Sequence, residues 1–279
     1  MKVAILSDIH GVLPALETVI ESIDRWQPDH VIVNGDVVNR GPRPLECWEM
    51  VADRIVRDGW LMTVGNHEQF TVESDAPQPF LTPGETEMFY ASRWTHQFFS
   101  PAQIDTMREL PLSISLTAPD GSLLRATHAT LHGTRDGVMP WTSEEDLRVK
   151  IAPAPAVFAT AHTHRAFVRS VDQTLVVNSG AVGMPLDNDK RASYAQIVWR
   201  NGWQAETVRL DYDRAAAQRD FDDTDFVHAA GASGPLMYIE WLRAESHFPT
   251  WYGTYWERVN SAEISAKEAV AHYLNTLTP

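Results

Sequence analysis

Three times in its first 68 residues this chain runs an apolar segment into a turn crowded with metal-ligand chemistry. Val3-Ala4-Ile5-Leu6 leads into Ser7-Asp8-Ile9-His10-Gly11, Val31-Ile32-Val33 into Asn34-Gly35-Asp36, and Leu61-Met62-Thr63-Val64 into Gly65-Asn66-His67-Glu68. With the second turn taken as the block Gly35–Gly41, the spacing is even: residues 12–34 separate the first two blocks and 42–64 the next two, 23 residues each time. Between them Leu16, Val19, Ile20 and Ile23, and then Leu45, Trp48, Val51, Ala52 and Ile55, recur at helical period. Each helical stretch opens on a proline, Pro14 or Pro44, and Gly59 is placed to cap the second. Strand, helix, strand at this length is a βαβ unit. The chain must therefore build parallel strands, with its polar turns at their carboxyl ends, where open α/β sheets bind ligands.

Further along, Leu112–Leu116 and Leu123–Thr127 read as strands about the turn Pro119-Asp120-Gly121-Ser122, and the second delivers His128. A short helix is expected over Thr142–Ile151, opened by Thr142 or Ser143, with Glu145 in capping-box position to Thr142. The apolar run Ala156–Ala161 delivers His162-Thr163-His164, and Thr174–Asn178 follows. Ser193–Val198 and Trp203–Leu210 predict a hairpin across Asn201-Gly202. Residues 69–109 differ: Pro77, Pro79 and Pro83 break the start, a helix follows Pro83, and Trp94, Phe98 and Phe99 are expected to pack on the sheet. This reads as a helical cap insertion over one rim of the site. Residues 213–279 show no strand pattern and form a helical C-terminal extension. Its aromatic stripe (Trp241, Phe248, Trp251, Tyr252, Tyr255, Trp256) with Val259 either packs on the main domain or a homodimer face, or serves as a base-stacking wall or substrate lid.

Composition narrows the function. A formal net charge of -14 disfavours a stable complex with a nucleic acid polymer or an anionic membrane. A small anion is still acceptable, because bound cations make a local positive site. The one cysteine, Cys47, lies in an apolar helical pattern and reads as a core residue, with no disulfide framework. No run approaches 18 apolar residues, and the first strand ends on ligand residues that a cleaved signal peptide would remove, so a cytoplasmic protein is expected.

Residues i and i+2 of a strand share a side, so Asp8 and His10 can converge on one point. Carboxylate oxygen with imidazole nitrogen suits borderline divalent cations. Five of the eleven histidines fall on the turns at Asp8-x-His10, Asn66-His67, His128 and His162-x-His164. In this order, with Gly35-Asp36-Val37-Val38-Asn39-Arg40-Gly41 between, the blocks closely resemble the calcineurin-like metallophosphoesterase superfamily. The turn Asn178-Ser179-Gly180-Ala181-Val182-Gly183, followed by Arg191-Ala192-Ser193-Tyr194-Ala195, is similar to its small bacterial and archaeal phosphodiesterase-like branch.

The resemblance covers about residues 1–212. It implies an α/β fold: a four-layer α/β/β/α sandwich of two mixed sheets. It also implies two divalent metal ions, Mn foremost, with Fe, Zn, Ni or Co as alternatives. One would be held by Asp8, His10, Asp36 and His164, the other by Asp36, Asn66, His128 and His162, with Asp36 shared. Together they would clamp the attacking and leaving oxygens, and a bridging hydroxide would attack phosphorus directly. His67 would protonate the leaving oxygen or hold the phosphoryl group, Arg40 would grip phosphate, and Arg135 is a second phosphate contact to test. Three positions depart from the pattern. Asn39 is neutral where protein phosphatases carry an aspartate beside the catalytic histidine. Ala161 replaces a usual glycine. His132-Gly133 competes with His128 for the ligand role. The expected activity is a phosphodiesterase or nucleotide hydrolase acting on a small phosphorylated substrate. The alternatives are a Ser/Thr-type protein phosphatase or phosphomonoesterase and, in another class, a non-catalytic metal-binding scaffold.

Overall fold

The computed structural model describes residues 1–74 and 82–277; the expected breaks at Pro77 and Pro79 lie outside them. In chain order the elements begin β1 (Lys2–Leu6), α1 (Leu13–Trp26), β2 (His30–Val33), α2 (Pro44–Asp58) and β3 (Leu61–Met62). Four helices follow, α3 (Asn66–Glu73), α4 (Pro83–Met88), α5 (Tyr90–His96) and α6 (Pro101–Arg108). Next come β4 (Ser113–Thr117), β5 (Leu123–Thr127), α7 (Glu144–Lys150), β6 (Val157–Thr160), β7 (Phe167–Val171), β8 (Thr174–Asn178), β9 (Ala192–Trp199) and β10 (Trp203–Leu210). The chain closes with α8 (Arg214–Asp223), α9 (Phe226–Ala229), α10 (Gly234–Arg243), α11 (Phe248–Asn260) and α12 (Ala266–Thr276). Among the described residues no helix is long and apolar enough to cross a membrane.

Two five-stranded mixed sheets result, ordered β10-β9-β1-β2-β3 and β4-β5-β6-β8-β7. β1 runs parallel to β2 and antiparallel to β9, while β6 is parallel to both β5 and β8. The period-2 alternation of β1 sorts its side chains between two cores. Ala4 and Leu6 join Leu16, Val19, Cys47 and Trp48 beneath α1 and α2. Val3 and Ile5 meet Leu124, Ala126, Val157 and Val177 between the sheets. A third cluster, with Leu147, Ile151, Phe158 and Val176, sits under α7. Helices, sheet, sheet, helix are the four expected layers.

The α1 helix ends where Gln27 turns left-handed and its N–H returns to Ile23 O, and α2 ends the same way at Gly59. Trp94 and Phe99 are buried in the core of the first sheet, as expected, whereas Phe98 is 39% exposed and packs edge-on against Trp94. Ser143 is the cap of α7, its hydroxyl accepting from Asp146 N, so the capping box of Thr142 with Glu145 does not form; Thr142 Oγ1 instead accepts from Met139 N. β7 has no counterpart in the sequence reading. Its Phe-Val-Arg-Ser-Val run is half polar because it is an edge strand, paired only with β8.

The extension does not sit apart. Phe221, Phe226, Met237 and Trp241 belong to the same buried cluster as Leu6 and Leu16, so that core is continuous across position 212. Trp251, Val259, Val270 and Tyr273 form a further cluster with Met88 of the insertion. The aromatic stripe therefore divides: Trp241 and Trp251 are buried, while Phe248, Tyr252 and Trp256 face a cleft described next.

Candidate metal centre

Asp8 and His10 follow β1, Asp36 follows β2, His128 follows β5, and His162 and His164 follow β6. Asn66 and His67 lie not in a loop but in the first turn of α3, whose N-cap is Gly65. Asp8, His10, Asp36, Asn39, Arg40, His162 and His164 all have φ between +50° and +66°. A side chain makes this left-handed region costly, and such residues persist only where the surroundings over-determine them. Here the two loops are stitched together: Ile9 N and His10 N donate to Asp36 O at 2.8 and 3.1 Å, and Gly11 N to Val37 O at 3.0 Å. Two glycines permit this closeness. A β-carbon on Gly41 would fall 1.9 Å from His10 O, and one on Gly65 2.1 Å from Asp36 Oδ1.

The side chains converge as two sets of atoms that share Asp36. In the first, His10 Nε2 lies 3.2 Å from His164 Nε2 and 3.7 Å from Asp36 Oδ2, with Asp8 Oδ1 3.3 Å from His164 Nε2. In the second, His128 Nε2 lies 3.2 Å from Asp36 Oδ2, and Asn66 Oδ1 lies 3.1 Å from His128 Nε2 and 2.9 Å from His162 Nδ1. The candidate ligand atoms of Asp8, His10, Asp36 and His164, and those of Asp36, His128 and His162, each fall within 4.8 Å of one another. His132 is elsewhere: its side chain is 52% exposed and pairs with Asp136 at 3.5 Å.

The surroundings aim these atoms inward. His10, His128 and His164 turn Nδ1 toward the carbonyls of Asn39 (3.3 Å), Asn34 (2.8 Å) and Met184 (2.6 Å). A carbonyl only accepts, so the ring proton sits on Nδ1 and the Nε2 lone pair faces the cluster, the usual outer support of a metal-bound histidine. Each carboxylate is anchored through one oxygen. Asp8 Oδ2 accepts from Ser7 Oγ at 2.8 Å, and Asp36 Oδ1 from His67 N at 2.9 Å. Their other oxygens, Asp8 Oδ1 and Asp36 Oδ2, are buried with no hydrogen bond among the described residues. Two orphaned carboxylate oxygens ringed by imidazole lone pairs are costly unless a cation joins them. The donor set fits two borderline divalent cations.

Electrostatics agree. Burial holds His10 well below the ordinary histidine range and lowers His162 to about 4. Burial also opposes charge on Asp36, but His128 and His67 outweigh it and hold that carboxyl well below the usual range. Burial would lower His128 as well, yet Asp36 beside it lifts that imidazole to about 10. The pull of Asp36 on that imidazole is the pull a cation between them would feel.

His67 is fixed differently. The Arg40 N–H, which can only donate, bonds Asn39 Oδ1 at 2.8 Å. The other end of that amide is therefore the NH2, which lies 2.9 Å from both His67 Nδ1 and Ser92 Oγ. His67 Nδ1 must accept, so its proton rests on Nε2. Burial lowers its pKa to about 3, which agrees with a neutral ring facing an amide donor. Of the two expected roles, this geometry suits holding a phosphoryl oxygen by an Nε2–H hydrogen bond better than protonating a leaving group. Arg40 is no surface residue. It pairs with the buried Glu240 of α10, its Nε meets Met184 Sδ at 3.2 Å, and its guanidinium lies 5.1 Å from the Phe248 ring centroid. Arg135 does not line the metal cleft; it lies over Phe70 at 4.9 Å and faces a neighbouring pocket.

The cleft above the cluster measures about 260 Å³. Asp36, Asn66, His162 and His164 form its floor, His67 and Arg40 its flank, and Phe70, Phe248, Tyr252 and Trp256 stand on its apolar side.

Two supporting residues carry no role in the sequence reading. Glu68 is fully buried; its Oε2 accepts from Asp36 N (2.8 Å) and Gly65 N (2.9 Å), its Oε1 from Val37 N (2.8 Å) and Val38 N (3.3 Å). Burial, and then the Asp36 charge, push its carboxyl up to about 7. Its spacing from Gly65 is the capping-box spacing, which is the local signal for it. Glu240 also binds His247 N and Phe248 N through Oε1, at 2.6 and 2.9 Å, and so ties the start of α11 to the Arg40 loop. No sequence signal marks that long-range tie.

A family model described as calcineurin-like phosphoesterase matches residues 1–174. An uncharacterised protein of Methanocaldococcus jannaschii, MJ0912, is 25% identical over 226 residues, 76% of this chain and 88% of that protein. Among solved structures, a metallophosphoesterase from Sphaerobacter thermophilus superposes with a TM-score of 0.65 at 22% identity, covering 88% of this chain and 99% of that one. The hypothetical protein PH1004 from Pyrococcus horikoshii OT3 gives 0.70 at 16% identity, covering 82% and 95%.

Proposed function

The chain belongs to the calcineurin-like phosphoesterase family, a metal-dependent hydrolase fold, and on that premise we propose that it hydrolyses small phosphodiesters or nucleotides with two divalent cations, Mn foremost. The observation that carries this reading is the cleft. At about 260 Å³ it falls just below the usual range for small-molecule pockets, about 300–1,000 Å³, and it is walled on one side by the C-terminal extension. Such a recess suits a diffusible substrate better than a phosphorylated loop of a folded protein.

Asp8, His10, Asp36 and His164 would hold one cation, and Asp36, Asn66, His128 and His162 the other. When bound, the pair supplies the Lewis acidity that activates water and offsets developing negative charge. The chain's own groups do the rest. Asp36 brings the two sets of ligands onto one carboxylate. His67 Nε2–H donates to a phosphoryl oxygen, a contact strengthened by its burial. Arg40, oriented by Glu240, adds a positive charge at the mouth. The apolar wall limits water on that side.

The test is hydrolysis of bis(p-nitrophenyl) phosphate beside p-nitrophenyl phosphate, with Mn added and with chelator. Faster, metal-dependent diester cleavage supports the reading. Faster monoester cleavage favours a phosphomonoesterase. Full metal content with no cleavage of any phosphoester favours a scaffold.

A further inference from the structure

We propose that the C-terminal helix α11 builds an aromatic subsite beside the metal centre, and that the substrate carries a planar aromatic group there. This deepens the phosphodiester or nucleotide reading and rests on it. Helix α11 projects Phe248, Tyr252 and Trp256 at successive i+4 positions, which places them along one face of the helix. All three line the cleft that holds Asp36, His67 and Arg40. Tyr252 and Trp256 stack with ring centroids 4.4 Å apart and planes 18° from parallel. Phe70, which packs edge-on against His67 with centroids 5.4 Å apart, contributes a further ring to the same cleft.

Core packing accounts for only part of this face: Phe248 and Trp256 are partly buried against the neighbouring clusters, and Tyr252 is not. The rings of the stripe that serve the core, Trp241 and Trp251, are 1% and 0% exposed, whereas Tyr252 is 44% exposed. The wall is also held in place. Glu240 receives the first N–H groups of α11 on one oxygen and Arg40 on the other, and Arg40 lies over Phe248. A phosphoryl group beside Arg40 and His67 is therefore next to a ring surface fixed in register with it. Every nucleobase or aryl group has a π-face that can stack on such a surface without a dedicated hydrogen-bond code. The net charge of -14 leaves no electrostatic attraction for a long polyanion, so a single ring system on a small phosphoester is the fitting occupant.

The test is calorimetric titration of the full chain, loaded with Mn, by AMP, ribose 5-phosphate and phenyl phosphate, with inorganic phosphate release followed in the same samples. AMP and ribose 5-phosphate share sugar and phosphate and differ by the base. We expect AMP to bind at least about tenfold tighter, the lower range of a base stacking on aromatic side chains. Trp256→Leu and Tyr252→Leu should each cut that preference by about threefold or more; Tyr252 is half exposed, so its replacement does not empty a core. Phenyl phosphate binding like AMP would assign the subsite to any flat ring, and phenyl phosphate binding like ribose 5-phosphate to a nucleobase; both support it. Equal binding of AMP and ribose 5-phosphate, or a preference untouched by both substitutions, would overturn it. Ring-dependent binding without hydrolysis of these or of any diester would sink the hydrolase reading and leave the subsite standing.

Discussion

Replacing Glu68 by glutamine changes one atom and should loosen both the fold and the metal centre. The carboxylate accepts four backbone N–H groups, from Asp36, Val37, Val38 and Gly65, at 2.8–3.3 Å and with no solvent exposure. Glutamine keeps one oxygen, which can serve one pair. Its NH2 then faces the other pair, donor against donor. Two buried N–H groups left unmet cost about 1–3 kcal/mol each, or about 2–6 kcal/mol together. Removing a buried negative charge from beside Asp36 returns part of that, for a net loss of about 2–4 kcal/mol. At about 2 °C per kcal/mol for a chain of this size, the melting temperature should fall by about 4–8 °C. The assay is thermal unfolding by circular dichroism at pH 8, with and without chelator, beside metal content by mass spectrometry. Because Asp36 hangs from the same four-bond clamp, bound metal should fall below the wild-type stoichiometry. Glu206→Gln, on an exposed face of β10, is the control and should shift stability by less than about 0.5 kcal/mol. A Glu68→Gln protein that melts within about 1 °C of wild type and keeps its metal would refute the clamp.

Asp36→Asn removes the carboxylate common to both ligand sets, so both cations should be lost together; a protein that still binds two has another bridge. For His67, a donor role predicts that alanine lowers kcat by about 10²–10³-fold and that glutamine, which retains an N–H, recovers part of it. Equal losses in the two would point to proton transfer instead. Glu240→Gln leaves Arg40 without its charged partner and should cost about 2–3 kcal/mol by chemical denaturation, below the 3–5 kcal/mol of a fully buried pair because Arg40 is 13% exposed. It should also raise KM; an unchanged KM would separate the Arg40 tie from substrate binding. Chelation of bound metal should lower the melting temperature by about 5 °C or more, since a ligand at 100 times its Kd stabilises by about 2.7 kcal/mol. No change would mean that the cluster gains nothing from a cation.

Much of this architecture was readable because it is local. The run from Val3 to His10 states both a buried strand and the candidate ligands at its end, and the 23-residue spacing states the crossovers. The candidate ligand residues from Asp8 to His164 were accessible for the same reason: each ends an apolar strand or, for Asn66, opens the helix that follows one. What escaped depends on partners far apart in sequence. Glu68 matters because of N–H groups some 30 positions away, and Glu240 because of Arg40, 200 positions away. The sense of the Asn39 amide, and with it the state of His67, follows from the Arg40 N–H and Ser92, not from the residue types. Phe248, Tyr252 and Trp256 look like Trp241 and Trp251 in sequence; only packing separates wall from core. The edge strand β7 was hidden because a one-sided strand needs no continuous apolar run.

The shared core has a consequence for the order of events at the ribosome. The last candidate ligand, His164, emerges well before Trp241, which completes the cluster around Leu6 and Leu16. At roughly 5–20 residues per second, that interval lasts roughly 4–15 s. During it the nascent chain carries every candidate ligand, and α1 and α2 can already cover Ala4 and Leu6, but the part of that core supplied by Phe221, Phe226, Met237 and Trp241 is missing, an apolar surface open to chaperones and to other nascent chains. The ring-bearing face of α11 arrives later still. A shortage of the cation and a truncation near the carboxyl end should therefore be felt at different stages of biosynthesis, the first as an empty centre in a finished fold, the second as a chain that never leaves quality control.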